Sequence, residues 1–229
     1  MNGSVQENLA RVEERVAAAL DRAGRTGEHV TIVGITKQFG PERVEEVIRS
    51  GIQDVGENRI QEFLEKKPLV RAACRWHLVG TLQRNKAAKA IGQFHLIHSV
   101  DSIQLAATLS RLGLEREKSS RILLQVNTSG EIAKHGLSPD EVVDRAGEIS
   151  ELPALEPLGL MTIGPLALDP AAIRRAFGKL KRLRDDIRRQ LGLDYRELSM
   201  GMSDDFELAI EEGATIIRLG TILLGPRPV

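Results

Sequence analysis

TIVGITKQFGP (residues 31–41) decides the fold. Its first six residues are apolar or β-branched apart from one glycine, the make-up of a buried strand. The turn that follows, K-Q-F-G-P, is not the glycine-rich phosphate turn that opens a doubly wound dinucleotide-binding sheet. Pro41 then starts a helical pattern, PERVEEVIRSG, which stops at Gly51. Strand, turn and helix make one βα unit, and the unit recurs along the chain. Strands are read at 31–36, 53–56, 76–80, 95–99, 121–126, 156–161, 197–201 and 215–220. The helical patterns NRIQEFLEKK, QRNKAAKAIG, SIQLAATLSRLGL, SPDEVVDRAGEIS, DPAAIRRAFGKLKRLRDDIRRQLG and DDFELAIEEG fall between them. Eight strands alternating with helices, behind one extra amphipathic helix, is the count of a (β/α)8 TIM barrel. The expectation is a single α/β domain over residues 1–229, with 1–29 as N-terminal helix and lead-in.

The bulk composition narrows the function. With 229 residues, 41% hydrophobic and 28% charged, the chain has ordinary globular composition and the length of one barrel. Lys+Arg and Asp+Glu are both 32, so there is no net basic field for nucleic acid. Trp76, Tyr195 and five phenylalanines are too few for a base-stacking platform. One cysteine, Cys74, excludes an internal disulfide and reads as a small core residue. The N-terminal stretch has no apolar core of a secretory signal, and no run approaches the roughly 18 apolar residues of a membrane span. A cytoplasmic protein without membrane or nucleic-acid partners is expected.

In this barrel chemistry belongs at the carboxyl ends of the strands. Lys37 closes the first strand on the face shared by Val33 and Ile35; if that face is the interior, its amine points into the barrel mouth, where desolvation would make it a nucleophile toward a carbonyl. Position alone favours a lysine that snorkels to solvent, and a buried amine is expected where a carbonyl caps it. Phosphate sites in the fold use the loops after strands seven and eight. Ser203, in SMGMSDDF, reads as a helix cap with exposed N–H groups behind it. Asp204 and Asp205 would repel an anion placed on that helix, which shifts the expected phosphate toward Gly220 and Thr221. Arg218 faces the same way as Gly220 and needs an acceptor, either an ion pair or a ligand. Asn58 and Gln61 in GENRIQE (56–62) have capping-box spacing, although the Asn58 amide could also meet a ligand. Met161 closes strand six as core filler. Trp76 and His77 open strand three, at the end away from chemistry, and read as packing. His95 and His98, three apart on a strand, point to opposite faces and make poor joint zinc ligands. The basic run KLKRLRDDIRR (179–189) alternates in sign and reads as a solvated helix face.

These segments carry a resemblance. TKQFG (36–40), GENRIQE, WHLVGTLQRNK (76–86), IHSVDS (97–102), LLQVNTSGEIAKHG (123–136), LGLMTIG (158–164), LSMGMSDDFELAIEEGATIIRLGT (198–221) and LLGPR (223–227) closely resemble the pyridoxal-phosphate homeostasis protein family, whose barrel is similar to the N-terminal domain of alanine racemase. The resemblance implies that Lys37 holds pyridoxal 5'-phosphate as an aldimine. It implies that Ser203, Gly220 and Thr221 bind the phosphate, that Arg218 faces the pyridine nitrogen, and that Asn58 and Met161 lie near the ring. The chain departs from the family pattern at Phe39 and Gly40, where a lysine and a proline are frequent, and at Thr81, where histidine is frequent. The implied role is a monomeric cofactor carrier without robust catalysis, with apo forms of pyridoxal-phosphate enzymes as recipients. The alternatives are an amino-acid racemase-like enzyme and a Schiff-base aldolase. Against racemisation, the one tyrosine, Tyr195, precedes strand seven and so sits away from the mouth.

Overall fold

The computed structural model describes residues 3–131, 135–165 and 169–226. Residues 132–134 of the LLQVNTSGEIAKHG stretch and Arg227 of the terminal LLGPR lie outside them. Strands β1 (Thr31–Ile35), β2 (Asp54–Glu57), β3 (Arg75–Leu78), β4 (Leu96–Val100), β5 (Ser120–Gln125), β6 (Leu155–Met161), β7 (Glu197–Ser199) and β8 (Ile216–Leu219) pair in parallel, each with the next. β8 pairs back onto β1, with Val33 opposite Arg218, so the sheet closes into a barrel. The expected (β/α)8 architecture is the observed one.

The helices α2 (Pro41–Arg49), α3 (Ile60–Lys66), α4 (Ile103–Glu115), α5 (Val142–Ser150), α6 (Pro170–Leu191), α7 (Phe206–Glu211) and α8 (Thr221–Leu224) follow their strands. Ser102 caps α4 by accepting the Leu105 N–H. Between β3 and β4 the expected α-helix is only a 3-10 segment, Arg84–Lys89. Ala87 is its single buried residue, so it has no apolar face to stabilise a longer helix.

The extra helix α1 (Val5–Arg22) starts in a capping box between Ser4 and Glu7. Its buried residues Val5, Leu9, Val12, Val16 and Ala19 recur at helical spacing and pack on α7 and α8. The Asn8 amide donates to the Leu223 carbonyl at 2.9 Å, and Arg15 forks onto Glu207 at 3.0 and 2.7 Å. This helix therefore bridges the two elements that follow β7 and β8.

Strand alternation divides the core in two. Outward side chains such as Val55, Leu78, Ile97 and Leu124 pack under the helices. Inward ones, including Val33, Ile35, Val79, Leu96, Leu123, Met161 and Ile216, form a smaller apolar cluster inside the barrel. That cluster fills only part of the interior. Asp54, His77, His98, Ser199 and Arg218 occupy the remainder, all buried.

Candidate functional site: a cleft at the carboxyl ends of β1, β7 and β8

A cleft of about 200 Å³ opens where β1, β7 and β8 end, bordered by Ile35, Lys37, Ser203, Arg218, Gly220 and Thr221. β1 stops at Ile35, so Lys37 stands on the turn beyond it and is half-buried rather than enclosed. The expectation of a buried amine is corrected: the strand ends before the lysine, and the turn carries it to the rim. Gln38 adopts a left-handed conformation (φ 66°), and its N–H donates to Glu62 at 2.9 Å. Behind the turn, the Thr36 hydroxyl and the Lys66 ammonium both donate to Glu57 Oε1, at 2.6 and 2.8 Å. Lys66 also donates to the Thr36 carbonyl at 2.8 Å. Burial pushes the Glu57 carboxyl up, against the pull of Lys66 and Thr36.

Ser203 is not a helix cap. α7 begins only at Phe206, and Asp205 turns its carboxylate back to accept the Met202 N–H at 2.6 Å. The tight turn at Gly201 (φ 93°) sets this path, because a Cβ there would meet Ala209 and the Phe206 backbone. The Ser203 hydroxyl instead accepts the Ile222 N–H at 3.4 Å, tying the loop after β7 to the one after β8. Gly220 leaves space in the cleft. A Cβ added there would meet only Ile35, at the ordinary distance of 3.6 Å, and would take up volume between Lys37 and Thr221.

Arg218 is 4% exposed. Its Nη1 donates to the Ser199 hydroxyl at 2.7 Å and its Nη2 to the Thr162 carbonyl at 2.9 Å. Among the described residues no carboxylate lies within ion-pair distance of it. Burial lowers its guanidinium to about 10, opposed by the more distant Asp205, so it remains a cation at neutral pH. A buried cation held by two neutral acceptors and bordering a cleft fits a site that supplies a further acceptor from outside.

The other two expected residues lie elsewhere. Asn58 lines a separate cavity of about 350 Å³ with Gln61 and Thr81. It forms no capping box, since α3 is preceded by Arg59 and has no side-chain cap. Met161 is enclosed in the interior apolar cluster with Ile35.

The reading of strand three needs a correction. Trp76 does pack, edge-on against Phe63 at 5.3 Å, but His77 points into the barrel and belongs to a polar chain. His77 Nδ1 lies 2.9 Å from His98 Nε2, and His77 Nε2 lies 2.9 Å from Asp54 Oδ1. His98 Nδ1 meets the Ser199 hydroxyl at 2.8 Å. Asp54 is forked by Arg75 at 2.7 and 2.5 Å. Alternation could have found this chain in the sequence, because His77 shares a face with Val79 and His98 with Leu96. Asp54, His77 and His95 bring donor atoms within 4.8 Å of one another. Arg75 already occupies both oxygens of Asp54, and both ring nitrogens of His77 are engaged, so Asp54 and His77 form a hydrogen-bonded pair with the His95 ring 5.4 Å from that of His77.

The fold and the cleft define a class: the chain matches the family model described as alanine racemase, N-terminal domain, over residues 8–228. Alanine racemase from Clostridium difficile shares the fold at 15% identity (TM-score 0.80), covering 99% of this chain and 57% of its own. Two relatives are each named pyridoxal phosphate homeostasis protein. The one from Aquifex aeolicus is 41% identical, covering 96% of this chain and 97% of its own. The one from Pseudomonas aeruginosa is 39% identical, covering 98% and 96%. PipY of Synechococcus elongatus, solved with PLP bound, is 34% identical with a TM-score of 0.85, covering 96% of this chain and all of its own. This chain belongs to the pyridoxal phosphate homeostasis protein family.

Proposed function

We propose that this protein binds pyridoxal 5'-phosphate in the cleft at Lys37 and serves in pyridoxal-phosphate homeostasis. The carrying observation is the buried Arg218 guanidinium, without a carboxylate partner among the described residues, in one cleft with a rim lysine and the loops after β7 and β8. When bound, the cofactor supplies an aldehyde that condenses with amines and a ring that withdraws electrons most strongly when its nitrogen is protonated.

Each residue then has a task. Lys37 supplies the primary amine that takes up the aldehyde. The hydroxyls of Ser203 and Thr221 and the open backbone at Gly220 hold the phosphate. Arg218 donates a hydrogen bond to the ring nitrogen. A guanidinium that stays charged donates without accepting, so the ring nitrogen keeps its lone pair and electron withdrawal stays weak.

That arrangement favours holding over turnover. Besides Lys37, the titratable groups among the described residues lining the cleft are Asp204 and Arg218. Tyr195 lies just before β7, buried in the outer core, and cannot serve as a second base. The protein acts in the cytoplasm as a monomer, one binding domain over residues 1–229, that buffers the cofactor and delivers it to apo forms of pyridoxal-phosphate enzymes. The test is to load the purified protein, reduce it with borohydride and map the label. A yellow band bleached with the label on Lys37 is expected. A colourless protein, a label on another lysine or sustained turnover of L- or D-amino acids would overturn the proposal.

A further inference from the structure

The interior polar chain has one consistent hydrogen-bonding direction. Arg218 can only donate, so the Ser199 oxygen accepts from it. The Ser199 proton can then go to a bare His98 Nδ1, and Asp54 sets the same direction from the far end: its carboxylate takes an Nε2–H from His77, which leaves Nδ1 of a singly protonated ring to accept from His98. His98 consequently carries its proton on Nε2 and donates to His77 Nδ1. His77 in turn carries its proton on Nε2 and donates to Asp54. In this arrangement each ring carries its proton on Nε2, and every bond points from the cation Arg218 to the anion Asp54. The chain starts under the cleft and ends at the opposite rim, where the half-exposed Arg75 closes it.

We infer that Ser199, His98, His77 and Asp54 form a positioning relay through the barrel interior, one that fixes the direction in which Arg218 donates into the cleft and links the cofactor's ring nitrogen to the amino-terminal face of the barrel. The link to the ring rests on the function proposed above; the relay itself does not. With its proton committed to His98, Ser199 offers Arg218 only lone pairs, and Thr162 holds the second arm. The guanidinium therefore cannot turn to donate elsewhere. Protonating His98 at Nδ1 would take away the acceptor of the Ser199 proton and put a second positive charge beside Arg218. Burial above all, with the nearby Arg218 charge, holds the His98 pKa well below the usual histidine range. The charged and titratable groups around the far end are Arg75 and Cys74 beside Asp54, and His95, which faces both His77 and Arg121.

Two measurements test this. In the cofactor-free protein, nitrogen-15 spectra of the histidine rings should show bare Nδ1 and protonated Nε2 on both His77 and His98, and Asp54→Asn should move the His98 signals. Averaged tautomers, or a proton on Nδ1 of either ring, would overturn the relay without reference to any cofactor. In the loaded protein, Ser199→Ala and His98→Phe should alter the pH profile of the cofactor absorption band and weaken retention on the order of 5-fold. Ser199→Ala removes one oxygen and keeps the readout available if the larger change does not fold. Folded variants with a wild-type pH profile, beside an Arg218→Gln control that changes it, would sink the relay and leave the function standing. If Arg218→Gln itself leaves the band unchanged, the ring partner is misassigned and the link to the cofactor fails with it.

Discussion

The Lys66 ammonium sits 2.8 Å from Glu57 Oε1, both side chains buried beneath the turn that carries Lys37. Among the described residues the second carboxylate oxygen, Glu57 Oε2, has no hydrogen-bond partner, and Lys66 is the one counter-charge within ion-pair distance of Glu57. Lys66→Met should cost about 3–5 kcal/mol in urea unfolding, since it strands a buried carboxylate. Burial raises the Glu57 pKa in the fold, so its contribution is fully present below the ordinary glutamate value of about 4.3 and is lost as pH rises through the higher folded value. Removing Lys66 raises that folded value further, so the deficit of the variant should shrink as pH falls from 8 toward 4. A constant deficit from pH 4 to 8 would mean the loss is packing alone.

Gly220→Ala separates binding from folding. The new methyl meets only Ile35 at 3.6 Å, so the thermal midpoint should hardly move. The same methyl occupies the cleft, and retention of pyridoxal phosphate should fall on the order of 10-fold. Equal losses in both measurements would show that the glycine serves the fold.

Ser203→Ala makes a similar division. Loss of a helix cap costs about 1 kcal/mol, but Ser203 caps nothing and its bond to the Ile222 N–H is long at 3.4 Å. Unfolding free energy should change by less than about 0.5 kcal/mol, while cofactor retention weakens. A full cap-sized loss of stability with unchanged retention would contradict the site.

Tyr195→Phe should be neutral or stabilising, by up to about 1 kcal/mol. The hydroxyl is buried without a hydrogen-bond partner, and burial alone pushes its pKa up. Cofactor retention should not change. Weakened retention in the phenylalanine variant would place that hydroxyl in the function.

Asp54 predicts an acid sensitivity. Burial opposes its ionisation, but the hydrogen bonds from Arg75 and His77 outweigh burial and hold its carboxyl well below the usual range. A lowered folded pKa gives stability that is present above the unfolded value of about 3.9 and lost as pH falls toward the folded one. Asp54→Asn should remove that slope from the acid unfolding curve. An unchanged slope would show that Asp54 is not held as described.

Much of this was legible in the sequence because parallel strands leave two strong signals, β-branched runs and the helices between them. All eight strands fall within two residues of their expected positions, and the cleft collects Lys37, Ser203, Arg218, Gly220 and Thr221 from three separate segments. What the sequence hid was mostly local geometry. Asn58 and Ser203 have the right residue type for capping, yet their helices start later, at Ile60 and Phe206, and at Ser203 the turn is set by Gly201 and by the Asp205 carboxylate accepting the Met202 N–H. His77 was misread for another reason. Its position at the start of a strand argued against chemistry, while a polar chain runs beside the apolar cluster through the interior beneath the cleft.

The leading helix α1 acts as a strap across the seam where the cylinder closes. Asn8 grips the carbonyl of Leu223 and Arg15 grips Glu207, one from each of the segments behind the last two loops. Between those loops the Ser203 bond to the Ile222 N–H is long, at 3.4 Å. The strap ties together the two jaws of the proposed anion seat, so a tag or truncation near residue 5 is expected to be felt some two hundred residues away in sequence, as a looser hold on phosphate.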